Sequence, residues 1–167
     1  MKPDTIIIHC SASREDRSYS PEQLDADHKA RNFKRRNKSG TLRHIGYHYY
    51  VRKSGEIIKG REENEEGAHC LNWNSHSIGI CYEGGLDTKG KAKDTRTPEQ
   101  KESINALINE ICRRWTIIKI MGHRDTSPDL NGNGKVDPFE RLKECPCYDV
   151  IPEYTNYLPE VIIKPCG

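Results

Sequence analysis

The chain has 167 residues, 34% hydrophobic and 31% charged, with a formal net charge of +2. This length suits a single domain spanning residues 1–167, and the near-neutral balance argues for neither a nucleic-acid nor an anionic-membrane partner. No apolar run reaches the roughly 20 residues that cross a bilayer, so membrane insertion is not expected.

The N-terminus, Met1-Lys2-Pro3-Asp4, runs straight into a strand-like segment without the pattern of a signal peptide, so synthesis in the cytoplasm is the expectation. Thr5 to His9 carries three successive isoleucines, which predicts a strand buried on both faces. Ser20-Pro21-Glu22-Gln23 combines an N-cap, a proline at the first helical position and a capping-box glutamine. The helix it starts should run into the basic stretch formed by Arg31, Lys34, Arg35, Arg36, Lys38 and Arg43, stopping at Lys38-Ser39-Gly40. Such a charge run is first a solvated helix face and second a surface for an anionic polymer.

Tyr47 to Val51 reads as a second strand, and Ser54-Gly55 turns it into a third at Glu56-Ile57-Ile58. Ser77 to Tyr82 is a fourth, closed by Gly84-Gly85. Thr97-Pro98-Glu99-Gln100 repeats the helix-start signature, and Ile104, Leu107, Ile108 and Ile111 follow at helical spacing to an end near Arg114. Ile117 to Met121 is a last strand, and the tail from Tyr148 makes a short helix or packs across the sheet. Strands alternating with helices predict an α/β fold: one domain, a central mixed sheet, helices on its flanks.

Two histidines, His9 and His123, each end an apolar strand, where a sheet holds a side chain rigidly yet accessibly. Seven cysteines cannot all pair within one chain. Cys10, Cys70, Cys81 and Cys112 sit in or beside apolar segments and read as buried thiols, whereas Cys145, Cys147 and Cys166 lie among prolines. Two imidazoles with one such sulfur would suit a zinc ion that keeps a fourth position open, and here Cys145 and Cys147 serve equally well.

Several short strings together resemble the type-2 N-acetylmuramoyl-L-alanine amidases, a family that includes small phage lysins and the peptidoglycan-recognition proteins. They are Ile8-His9-Cys10-Ser11-Ala12, Ile45-Gly46-Tyr47-His48, Gly60-Arg61, Gly67-Ala68-His69, Asn74 to Ile80, Gly122-His123-Arg124-Asp125 and Lys143-Glu144-Cys145-Pro146. By this resemblance His9, His123 and Cys145 bind zinc, the Cys-Pro step with Lys143 before it favouring Cys145 over Cys147. Tyr47 and Lys143 take the catalytic roles, and His69 lines the cleft as a substrate-binding residue. His28, His44, His48 and His76 receive structural roles, with His48 alternating away from the metal along its strand.

The implied activity is zinc-dependent hydrolysis of the amide between N-acetylmuramic acid and L-alanine in peptidoglycan, by a monomeric phage or prophage lysin reaching the wall after release, or by an enzyme acting on intracellular muropeptides. The alternative from the same family is a protein that recognises peptidoglycan without cutting it. Some phage amidases also bind a polymerase, which makes the basic stretch the first suspect for a regulatory partner. Independently of the family, Asp129, Asn131, Asn133, Gly134, Asp137 and Glu140 fit a calcium-loop pattern, so a structural Ca2+ in the 129–140 loop is a further expectation, set against a metal-free Asn-Gly turn.

Overall fold

A computed structural model describes residues 1–33 and 41–158. Its five-stranded sheet contains β1 (Thr5–Cys10), while β2 (Ser13–Arg14) belongs to a separate small sheet. After α1 (Pro21–Ala30) come β3 (Tyr49–Val51), β4 (Ile57–Lys59), β5 (Ser77–Tyr82) and β6 (Gly85–Leu86). The chain continues through α2 (Pro98–Arg114), β7 (Lys119–Gly122) and the short α3 (Val150–Tyr154). The main sheet has the order β4-β3-β5-β1-β7, parallel except for the antiparallel β3–β4 pair. β2 pairs in parallel with β6, a ladder too short to leave a sequence pattern.

Central position explains the uninterrupted apolar run of β1, which pairs with β5 on one side and β7 on the other. Its alternate residues serve different layers. Ile6 and Ile8 join Ile78, Ile80 and the α2 residues Ile104, Leu107, Ile108 and Ile111 in one cluster. Ile7 packs with Cys70 and Met121 in another. A third cluster brings Leu24 of α1 against Ile45, Tyr50 and Cys81. The expected single-layer sheet with flanking helices is therefore the observed fold.

Both long helices begin as the sequence indicates, with Ser20 and Thr97 accepting from the amides of Gln23 and Gln100 in reciprocal capping boxes. α1 ends at Ala30, however, well before the expected Lys38-Ser39-Gly40 stop. Asn32 adopts φ 59°, and the amides of Asn32 and Phe33 donate back to the carbonyls of Lys29 and His28. This is a Schellman closure with asparagine, rather than the more common glycine, in the left-handed position. Lys34, Arg35, Arg36 and Lys38 lie outside the described residues. β3 starts at Tyr49 and β7 at Lys119, two residues later than expected in each case. Among the described residues no helix is long and apolar enough to cross a membrane.

Candidate metal centre

His9 comes from β1, and His123 opens the 3-10 turn His123–Thr126 directly after β7. Adjacent pairing of β1 and β7, with Ile8 opposite Gly122, brings the two ring systems to a centroid separation of 4.5 Å. Cys145 completes the group, and one ligand atom from each of the three residues lies within 4.8 Å of the others.

The Gly122-His123-Arg124-Asp125 string has a physical function at each position. A Cβ on Gly122 would stand 2.6 Å from Pro146 Cδ, so glycine lets the cysteine-bearing segment press against the end of β7. The Arg124 amide donates to the Cys145 carbonyl at 2.7 Å, while its buried guanidinium pairs with Asp149 and, at 3.8 Å, with Glu144. Asp125 accepts from the Gly122 amide at 2.7 Å and holds the turn. The residues around His123 thus fix the segment that carries Cys145.

Burial, reinforced by His69, His123, Lys143 and His28, pushes the His9 pKa well below its ordinary value. Burial and then the Lys143 charge bring His123 to about 4. Both rings are neutral near pH 7, the form that offers a lone pair to a metal. His9 Nδ1 faces Cys145 Sγ at 4.0 Å, and the Cys10 amide donates to that sulfur at 3.2 Å. Two neutral imidazoles and a sulfur supported by an amide fit zinc in donor type and number, with room for a fourth ligand.

Of this group His123 lines a cleft of about 610 Å³ whose walls also include Tyr47, His69, Leu142, Lys143 and Arg31. Tyr47 places its ring 5.0 Å from that of His9; burial, with Cys81, Cys145 and Cys10 nearby, raises its pKa and keeps the hydroxyl protonated. Lys143 is exposed on the cleft wall. His69 lies deeper, its Nδ1 3.0 Å from His9 Nε2. Burial, followed by the neighbouring His48, lowers its pKa well below the usual value, so this ring too is neutral.

Cys147 does not join the three-residue group. It turns towards Cys10, at 3.9 Å between sulfurs. His28 accepts from the Gly46 amide, and His48 accepts from the Gly79 amide while facing the Glu65 carbonyl, as befits structural histidines. His44 contacts Arg43, and His76 stacks beside Trp73. Cys10, Cys70 and Cys81 are buried thiols as expected, while Cys112 is only half-buried. The sequence gives neither the Cys10 amide nor the Arg124 guanidinium a role of its own; a main-chain donor leaves no trace in residue type.

The calcium expectation gains no support. Glu140 is buried and accepts from the amides of Leu130, Asn131 and Asp137. Asp129 accepts from Gly132 and Gly134, and the side-chain amides of Asn131 and Asn133 both donate to Asp137. The loop meets its acidic oxygens with its own amides, contacts that a turn held without metal accounts for.

A family model described as N-acetylmuramoyl-L-alanine amidase matches residues 1–140. An uncharacterized protein of Haemophilus influenzae is 44% identical over 96 residues, covering 58% of this chain and 83% of its own. The endolysin of Escherichia phage T7 is 28% identical over 147 residues, 88% of this chain and 82% of that one. Among solved structures, the N-acetylmuramoyl-L-alanine amidase LysC from Clostridium intestinale superposes with a TM-score of 0.67 at 27% identity, covering 95% of this chain and 88% of that one. The family match stops before Lys143 and Cys145, so geometry must carry those two residues.

Proposed function

The chain belongs to the N-acetylmuramoyl-L-alanine amidase family, and from that premise we propose that it is a zinc-dependent enzyme hydrolysing the amide between N-acetylmuramic acid and L-alanine. The observation that carries this reading is the convergence of His9, His123 and Cys145 beside a cleft that is lined by His123 together with Tyr47 and Lys143. Similarity to phage endolysins supports the role of a lysin acting on the cell wall.

His9, His123 and Cys145 would hold the zinc, which when bound supplies a Lewis acid and brings the pKa of water to roughly 7. The protein's own groups do the rest. Tyr47, kept protonated by burial, donates a hydrogen bond to oxygen at the reacting carbonyl. Lys143 faces the negative charge that develops there as the amide is attacked, where a fixed cation lowers the barrier most. The open side of the cleft admits a glycan-linked peptide, and Arg31 and Leu142 on its walls offer it one charged and one apolar contact.

The test is mass spectrometry of muropeptides after incubation of the purified protein with sacculi, with and without a chelator. Release of free stem peptides beginning with alanine, abolished by the chelator, is the expected result. Intact muropeptides retained by a folded, zinc-loaded sample would instead establish the family's other activity, recognition without cleavage.

A further inference from the structure

Beyond the groups that would touch metal or substrate, the His69 ring occupies a slot that only glycine can provide. A Cβ on Gly79 would lie 2.7 Å from its Cγ, and one on Gly67 would lie 2.7 Å from its Nε2. Two glycines thus press their backbones against the imidazole and leave it little freedom to turn. In that orientation its two nitrogens meet two different partners, His9 Nε2 at 3.0 Å and Ser77 Oγ at 3.5 Å.

The direction of this chain of contacts follows from its far end. Ser77 is fully buried, and its hydroxyl donates to the Trp73 carbonyl at 2.7 Å, an acceptor that can give no proton back. With that single proton committed, Ser77 Oγ can only accept from His69 Nε2. A neutral imidazole protonated on Nε2 has a bare Nδ1, so the hydrogen bond with His9 must use the proton on His9 Nε2. His9 Nδ1 is then left with its lone pair facing Cys145.

We propose that His69 is a positioning residue: held by Gly67 and Gly79, it relays the polarity of the Trp73 carbonyl through Ser77 and fixes His9 in the tautomer whose Nδ1 binds the metal. This rests on the zinc reading above and gives His69 a use other than contacting substrate, since both its nitrogens are engaged within the protein. Outer partners of this kind typically contribute 10- to 100-fold in metal affinity.

The test has one arm without metal and one with it. In the zinc-free wild-type protein near pH 7.5, nitrogen-15 NMR of the imidazoles should place the protons of His9 and His69 both on Nε2. A His9 proton on Nδ1 would overturn the proposal without any variant. Zinc affinity, measured by competition with a chromophoric chelator, should then weaken about 10- to 100-fold in His69→Ala. His69→Asn, whose amide oxygen can stand where Nδ1 stood, should recover most of the loss. Ser77→Ala should show a few-fold loss and a mixed His69 tautomer. Unchanged affinity in His69→Ala, or equal losses in the Ala and Asn variants, would sink the positioning role. Wild-type protein that takes up no zinc would instead bring down the metal reading itself.

Discussion

Cys145 and Cys147 are separated by one proline yet have different surroundings. The first receives the Cys10 amide and faces His9, while the second meets the Cys10 thiol. Cys145→Ser should therefore lose tight zinc binding, whereas Cys147→Ser should retain one equivalent by metal analysis after gel filtration. Gly122→Ala probes the same geometry from the backbone. Its Cβ must displace Pro146, and zinc affinity should fall although no ligand has changed. Glu63 offers a residue-scale test away from the cleft. Burial alone would raise its pKa, but hydrogen bonds from Arg114, Tyr49 and Trp115 outweigh that and hold it at about 2. A carboxylate with a depressed folded pKa stabilises the protein above its unfolded value, 4.5, and that contribution disappears as pH falls through about 2. Glu63→Gln should cost about 1–2 kcal/mol at pH 7 and flatten the loss of stability between those limits, as read by denaturant titration at several pH values.

At the scale of elements, α2 is held by a stripe of buried isoleucines, with Ile104, Ile108 and Ile111 all fully inaccessible. Ile108→Ala should cost about 2–5 kcal/mol in chemical denaturation, because it removes buried methyl groups and leaves a cavity. Such periodic, capped elements were legible in the sequence, and so was β1, whose unbroken apolar run reflects neighbours on both sides. Less legible were the endpoint of α1, fixed by one asparagine in the left-handed region, and the β2–β6 ladder, two residues on each strand. Both depend on backbone conformation or distant pairing, which leave little imprint on composition. The calcium-like spacing is silent for a related reason: the pattern specifies oxygen donors but not whether neighbouring amides already occupy them.

Across the whole molecule, the candidate site was legible as a set of residue types and their order, and the family resemblance supplied their roles. The arrangement behind it was not. Which nitrogen of His9 faces the sulfur, and what orients that ring, depends on β1, β5 and the segment around Cys145 meeting in space. Likewise, only the fold shows that Arg96, nearly inaccessible, joins the start of α2 to α3 through Asp94, Glu153 and the face of Tyr148.

The three prospective ligands stand near the beginning, the latter part and almost the end of the chain, at positions 9, 123 and 145. A metal held by all three is therefore also a reversible cross-link that ties the first strand of the fold to its last segments. By linkage, once free zinc exceeds the dissociation constant, every further tenfold increase should add about 1.4 kcal/mol to the unfolding free energy. The melting temperature should accordingly climb with the logarithm of free zinc in a metal-buffered series and remain flat in Cys145→Ser, making resistance to unfolding a gauge of metal supply.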